Sequence, residues 1–466
     1  MAGLTKDTLL ERLRGGAPLR FGHQVRLTAT LSYPAIIAQF STVAMQLIDT
    51  AMVGHLSTDA GASIGLVATC LWLLGGFCFA CCNGFSVQVS HLVGAGDFKA
   101  ARSVVRQALT SGLIWCLGFT LLALAVAKPL PLWLGGTGHV AAQASRYFLV
   151  TVLFLPFMQL DIMSAVILQA SGEMRMPSIL NVLMCLLDVA LNYLFIWVLD
   201  MGVVGAALGT GIAELLIASQ MVWFLTRKCK DLSLKGEKGS FMPTKPVVRN
   251  AVRIGLPLCL ENVVMRGAYI AGTVIVAPLG AIAVAANNFA ISAESFCYMP
   301  GYGIADAATS LVGQSIGAGR RDMAKRFGWL TTGGAMILQT LTGALLFIFA
   351  PEVMGLISSD PEVVSLGATV LRIEAFAETM YAASIVSYGA CVGAGDTLLP
   401  SILNFSSIWI FRILPAIWLC PRYGLVGYWI AMCFELNMRG ILFLFYLARG
   451  RWLSMKSTAE ASVISR

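Results

Sequence analysis

The chain has 466 residues, of which 58% are hydrophobic and only 12% charged, with a formal net charge of +8 and a mean hydropathy of +0.79. This balance excludes an ordinary soluble domain and a disordered chain alike, and describes an all-α polytopic membrane protein. The first 26 residues carry Lys6, Arg12, Arg14, Arg20 and Arg26 with no short apolar core and no small-residue cleavage site, so 1–26 reads as a retained cytosolic segment.

Six apolar stretches follow, at about 27–53, 61–89, 104–127, 143–170, 177–199 and 203–226. Each is long enough to cross a hydrocarbon core of ~30 Å as a helix. A basic segment, 227–248, then separates them from six more at 252–277, 283–313, 328–350, 364–392, 398–420 and 424–448, and a tail, 449–466, closes the chain. Gly, Pro and charge punctuate the joints, as in "KPLPLWLGGTG" and "CPRYG". The expected organisation is twelve transmembrane helices, an N-lobe of 27–226 and a C-lobe of 249–448.

The two sets of six are copies. The string "PSILN" occurs at 177–181 and again at 400–404, and the same offset carries Pro34 onto Pro257 and Gly94, Ala95 and Gly96 onto Gly317, Ala318 and Gly319. An even number of crossings per copy makes the repeats parallel, related by an axis along the membrane normal, with a cavity expected between them near the midplane.

Charge gives the orientation. With the N-terminus inside, the cytosolic loops collect Lys99, Arg102, Arg106, Arg175, the basic linker, Arg320, Arg321, Lys325 and Arg326, whereas the outer loops hold Lys128, Arg146, Arg372 and Arg422. Both termini are therefore expected in the cytosol of a protein of the cell membrane. The net charge follows from topology, and no nucleic-acid partner is expected.

The twelve cysteines sit mostly inside apolar stretches without the paired C-x-x-C spacing of a metal site, and His23, His55, His91 and His139 lie scattered at span ends. No metal centre is expected from them. The linker string "GEKGS" lacks the spacing and the strand-to-helix context of a phosphate loop, so ATP is not expected as energy source. The Gly-Ala-Gly sites fall at helix ends, where tight turns account for them.

Ionisable residues inside the spans are more informative, since each costs on the order of 2.5–3.5 kcal/mol at a helix centre. They are Asp49, Asp161, Asp188, Glu214, Glu261, Arg266, Glu294, Asp306, Glu374, Glu378, Arg412, Glu435 and Arg439. Glu435 and Arg439 are spaced as an intrahelical pair, and Glu261 with Arg266 is a second candidate pair. Glu374 and Glu378 share a face with like charge, either as a proton-exchanging pair or as two acids near the outer water interface. Asp188 and Asn192 share one face of the fifth span, Thr210 lies early in the sixth and Asp49 late in the first. Their convergence would make an all-oxygen site suited to Na⁺ or to a shared proton. Pro34 and Pro257, at matched places, are candidate hinges or simple core kinks.

The strings "LIDTAMVGHL" after "SYPAIIAQ", "LVGQSIGAGR" after "YMPGYGI", "LNYLFIW" before "MGVVGAALGT" and "GAGDTLLPSILN" together resemble the multidrug and toxic compound extrusion (MATE) family of cation-coupled antiporters, from about residue 27 to 448. The resemblance implies two six-helix lobes in a V, and export of amphipathic organic cations in exchange for H⁺ or Na⁺. It also implies that Asp49 takes the place of the family's first-span aspartate, linked to bending of that helix at its proline. On the fifth span the family places Asn four residues before Asp or Asn; here Asp188 precedes Asn192, which keeps the chemistry and moves the charge by one turn. Thr210 stands where relatives offer the ion a hydroxyl.

The expected function is thus secondary active export by a non-enzyme, with Asp49, Asp188, Asn192 and Thr210 as ion-coupling residues and Pro34 and Pro257 as hinges. Glu261, Glu294 and Glu378 are second-lobe candidates. No cofactor is expected beyond the coupling ion, H⁺ or Na⁺, and the partners are a small organic substrate and membrane lipid, with a monomer as the working unit. Two alternatives remain open at this stage. A lipid-linked saccharide flippase of the same superfamily would need basic residues for phosphates, and a non-transporting receptor would bind without flux.

Overall fold

A computed structural model describes residues 5–54 and 56–455, so His55 and most of the tail fall outside the description. Among the described residues every regular element is helical: α1 (Lys6–Arg14), α2 (Phe21–Gly54), α3 (Thr58–Gly94), α4 (Phe98–Val126), α5 (Leu130–Trp133), α6 (Gly138–Ala170), α7 (Arg175–Tyr193), α8 (Gly202–Arg227), α9 (Lys245–Val276), α10 (Ala281–Gly317), α11 (Arg321–Ile357), α12 (Pro361–Glu374), α13 (Glu378–Gly393), α14 (Leu398–Ser407) and α15 (Leu414–Arg449). In a bilayer only helices or closed barrels satisfy every backbone group internally, and this composition takes the first route.

Nine helical stretches among the described residues are long and apolar enough to cross a membrane. One of them, Leu398–Arg449, has 52 residues, roughly 78 Å of helix at 1.5 Å per residue and more than twice a hydrocarbon core. Its backbone reverses at Gly424 (φ 61°, ψ −143°), three residues after Pro421, so it makes two crossings. Two more come from α10, whose apolar content is interrupted by Glu294 and Asp306, and from α12 with α13, joined by a turn at 375–377. These give the twelve passes expected from sequence.

The helix ends explain the Gly-Ala-Gly strings. Gly96, Gly172, Gly319 and Gly395 all have positive φ, at 76°, 87°, 69° and 84°. The residue after each donates its backbone N–H back to the last helical turn: Asp97 to Leu92, Glu173 to Leu168, Arg320 to Ser315 and Asp396 to Cys391, at 2.8–3.0 Å. This is the glycine stop that satisfies orphan carbonyls. The carboxylate of Asp97 then starts the next helix by accepting from Ala100 N at 2.9 Å. Stop and start signals are packed into four letters, which keeps the connections short.

The chain divides into two compact units. One runs to Gln39 and resumes at Leu260; the other extends from Phe40 to Cys259. The passages between units therefore fall inside α2 and α9, five residues after Pro34 and two after Pro257. Both helices nevertheless run through their prolines without interruption. The second unit's core is built by Phe85, Val89, Met163, Ile167, Met184 and Ile217. The first unit's core is built by Ala290, Ala350, Met354, Leu371, Trp429 and Leu436.

Two segments that sequence leaves featureless are ordered. In α1, Leu9, Leu10 and Leu13 are buried, and Arg320 fastens the chain just past the helix by donating to Ala17 O at 2.8 Å. The linker is fastened to the start of α4. Arg102 Nε donates to Asp231 O at 3.1 Å, its guanidinium pairs with Glu237, and Gln107 Oε1 accepts from both N and Oγ1 of Thr244 at 2.8 Å. Leu232, fully buried, joins the core.

Candidate functional site

In the unit from Phe40 to Cys259, the last turns of α2 bring Asp49 against the middle of α7. Asn192 Nδ2 donates to Asp49 Oδ1 at 3.0 Å and to Asp188 Oδ2 at 3.1 Å, so one amide joins two carboxylates. Asp188 and Asn192 are 0% and 2% exposed, and Asp49 is half-buried. One oxygen each of Asp188 and Asn192, Oδ1 in both, is buried without a hydrogen-bond partner among the described residues. Helix α8 closes the site from behind: a Cβ on Gly209 would lie 2.1 Å from Asn192 Oδ1, so the wall is bare backbone. Thr210, the next residue, is half-buried, and its hydroxyl makes no described hydrogen bond to this group.

Two further acids lie nearby. Glu214, one turn beyond Thr210 on α8, stands within electrostatic reach of both Asp161 of α6 and Asp188. Sequence reasoning marks both as intramembrane acids, yet nothing in their spacing ties α6 to this group. No Lys or Arg occurs in 27–54, 147–170, 176–193 or 202–226, so four carboxyl groups share this interior without a cationic partner on those helices. Unpaired negative charge in an apolar surround is costly unless a cation or proton accompanies it.

The other unit sorts its acids differently. Glu261 on α9 is fully engaged: Tyr388 Oη donates to Oε2 at 2.7 Å, Ser401 Oγ to Oε2 at 2.6 Å and Asn404 Nδ2 to Oε1 at 2.6 Å. These three donors come from α13 and α14, whereas the spacing of the sequence points to Arg266 on its own helix. Ser401 and Asn404 belong to the second "PSILN", and in the first copy Asn181 Nδ2 donates to Thr42 Oγ1 of α2 at 3.3 Å. The repeated asparagine thus ties span five or eleven to the first span of its own repeat.

Glu435 is likewise satisfied. Arg412 donates to its Oε2 through Nη2 at 2.6 Å and Nε at 3.1 Å, Ser407 donates to Oε1 at 2.6 Å, and Arg439 Nε stands 3.0 Å from Oε1. The expected pair with Arg439 is present, and Arg412 completes it. Glu294, Glu374 and Glu378 are 5%, 0% and 1% exposed, so Glu374 and Glu378 do not lie at a water interface. Neither carboxyl of that pair has a hydrogen-bond partner among the described residues. Glu294 and Glu378 are acidic neighbours of Glu374, and Arg412 and Arg439 basic neighbours of Glu294. All twelve cysteines are free, and the described residues hold no group of three or more His, Cys, Asp or Glu arranged for a metal ion.

Comparison with known proteins accounts for this architecture. The MatE family model matches the chain twice, over 34–194 and 257–418, reproducing the duplication read from "PSILN". A probable multidrug resistance protein NorM of Thermotoga maritima is 28% identical over 439 residues, covering 91% of this chain and 92% of the relative. The multidrug resistance protein MdtK of Yersinia pestis is 26% identical over 459 residues, covering 94% and 97%. The crystal structure of a MATE protein in complex with MaL6 superposes with a TM-score of 0.88 at 21% identity over 95% of this chain and 98% of that one. With the family model spanning well over half of the residues in two repeats, the chain belongs to the MatE family of multi-pass membrane efflux transporters, and is a transporter and not an enzyme.

Proposed function

We propose that this transporter exports amphipathic organic cations in exchange for H⁺ or Na⁺, working as a monomer in the cell membrane with both termini in the cytosol. The observation that carries the reading is the meeting of Asp49 and Asp188 at one amide donor, Asn192, in stretches of α2 and α7, 27–54 and 176–193, that hold no Lys or Arg. Two carboxylates held by one donor repel each other unless a proton or a small cation joins them. The unpartnered Oδ1 atoms of Asp188 and Asn192 are hard oxygen ligands of the type Na⁺ takes, or acceptors for a shared proton. The names of the NorM and MdtK relatives support drug export as the outcome.

The coupling logic follows from differential affinity. Asp49 sits late in α2, ten residues beyond the passage between units, so an ion bound there bridges α2 to α7. If it binds one arrangement of the two helices better than the other, it biases the cycle by that difference and no more. One charge moved through 100 mV contributes about 2.3 kcal/mol, close to a fifty-fold gradient, which is ample for export. Cargo polarity follows the same charges: the acids above outnumber the interior arginines, and Arg412 and Arg439 are already engaged by Glu435. A phosphate-bearing lipid-linked saccharide would find no free guanidinium in that pair.

Asp49→Asn in proteoliposomes tests the reading, because Asn retains an acceptor for Asn192 but cannot carry the charge. Substrate exchange driven by an imposed H⁺ or Na⁺ gradient should fall to background while substrate binding persists. Gradient-driven exchange at the parent rate would remove Asp49 from the mechanism; binding with no flux in the parent protein would favour a receptor.

A further inference from the structure

Asp306 lies in α10, about 17 Å of helix from that helix's end at Gly317, and belongs to neither carboxyl group described above. Its one hydrogen bond among the described residues is accepted by Oδ2 from Gln39 Nε2 of α2, at 3.4 Å. Gln39 is the last residue of α2 that belongs to this unit; Phe40 begins the other. One turn earlier on α10, a Cβ on Gly303 would fall 2.6 Å from Ile36 N and 2.8 Å from Ala35 C. The two helices therefore touch backbone to backbone at 303, and Asp306 grips the same face of α2 at the point where the chain leaves the unit.

Among the described residues no counter-charge is found beside Asp306. On its own helix the nearest titratable side chain is Tyr302, one turn away, with Glu294 about three turns off. α2 carries only Tyr33 as a titratable group between Arg26 and Asp49, and α11 carries none between Arg326 and Glu352. α13 packs Gly389 and Gly393 against Ala305 and Thr309, bringing Tyr388 and Cys391 as its nearest titratable residues. Glu374 of α12 and Arg439 of α15 group with Glu294, and Arg14 of α1 is bonded to Gln314, two turns beyond Asp306. An acid in a span without a basic neighbour is by default a functional residue, since its insertion cost needs a return.

We propose that Asp306 is a second proton-carrying residue of the transport cycle, a positioning residue that holds the first half of α2 through Gln39 when ionised and loosens it when protonated. The proposal rests on the ion-coupled reading above for its place in the cycle. The sign follows from bond strength: a hydrogen bond accepted by a carboxylate is stronger than one between neutral groups. Proton uptake at Asp306 thus weakens the contact next to the passage between units, while proton or Na⁺ binding at Asp49 acts ten residues further along the same helix. Two ion-sensitive contacts on one helix, one in each unit, give that helix a separate setting at each end.

Hydrogen-exchange protection of the 27–39 segment, corrected for intrinsic exchange and followed from alkaline to acidic pH in nanodiscs, tests this without relying on flux. A one-unit difference in proton affinity between the held and loosened arrangements corresponds to about a tenfold change in protection. The parent and Asp306→Glu should lose protection on acidification, and Asp306→Asn should show the acidic value at every pH. Gln39→Leu, which keeps the acid and removes the donor, should behave as Asp306→Asn does, and decides the matter alone if Asp306→Asn does not fold. Parent-like titration in either variant, or higher protection in Asp306→Asn than in the parent at alkaline pH, overturns the proposal. Gradient-driven flux is measured on the same samples. Its absence in the parent would refute the antiport reading and leave the exchange result to decide Asp306.

Discussion

Glu435 and Glu374 are both fully buried acids of the same unit, and they differ in what the fold gives them. Glu435 receives Arg412, Arg439 and Ser407, whereas both oxygens of Glu374 are without a described donor. Breaking a buried pair by removing one partner costs about 3–5 kcal/mol, because the other charge is stranded. Glu435→Ala should therefore lower the thermal unfolding midpoint in detergent sharply, and Glu374→Gln should leave it unchanged or raise it. Equal losses in the two variants would contradict this division of structural from exchangeable acids. The spacing of Glu435 and Arg439 was legible in the sequence because one helix carries both. Arg412 was not, since it reaches Glu435 from another stretch of chain. Helix geometry gives the Glu261 and Arg266 spacing little support as a pair: five residues turn a helix by 500°, which leaves the two side chains about 140° apart. Glu261 instead draws its donors from α13 and α14, which no periodicity could reveal. In the Asp49 group, Asn192 and Asp188 were readable as a helix face, whereas the proximity of Asp161 and Glu214 required the packing of α6 on α8.

Among the helices, ends were easier to read than bends. A glycine stop is written in adjacent residues, so "GAGD" and "GAGR" mark termini directly. Bends depend on what tertiary contacts tolerate: α2 and α9 run on through Pro34 and Pro257, while α15 reverses at Gly424. Wider π turns at Leu194–Val198 and Ile408–Ile413 follow α7 and α14, and the second of them carries Arg412. Membrane helices gain little from apolar burial against one another, so close backbone approach at small residues carries much of their association. On α13 the pair Gly389 and Gly393 lets α10 approach until a Cβ at 393 would fall 2.4 Å from Thr309 O. Gly393→Val should destabilise by about 1–3 kcal/mol through overpacking. In α11, Gly333 has nothing within 4 Å of its would-be Cβ, so Gly333→Ala should be neutral or stabilise by up to about 1 kcal/mol. Unfolding of the two variants in parallel checks the contrast, and a tolerated Val at 393 would show that α13 can move off α10.

For the whole molecule, the sequence repeat and the units of contact answer different questions. The repeat records ancestry: it places 34–194 over 257–418. The contacts assign the first parts of α2 and α9 to the units opposite their own repeats, which similarity between copies cannot show because both copies do the same thing. Orientation, by contrast, is expected from charge. If successive passes alternate in direction, Lys99, Arg102, Arg106, Arg175, the linker, Arg320, Arg321, Lys325, Arg326, Arg449 and Arg451 would face one side of the membrane, and Lys128, Arg146, Arg372 and Arg422 the other. Each Lys or Arg near an anionic cytoplasmic leaflet contributes about 1 kcal/mol, and the bias of short loops sets topology. Within the linker, Glu237 is held by Arg102 and Arg106, which leaves the neighbouring Lys238 exposed and suitable as a reporter. A Lys238→Cys variant in a background with its native cysteines replaced should react with a membrane-impermeant maleimide in inside-out vesicles and stay unlabelled in intact cells. An Arg422→Cys variant, on an exposed residue at the opposite helix ends, should show the reverse. Labelling of the linker cysteine in intact cells would invert the topology, and with it the direction proposed for proton entry to Asp49 and Asp306.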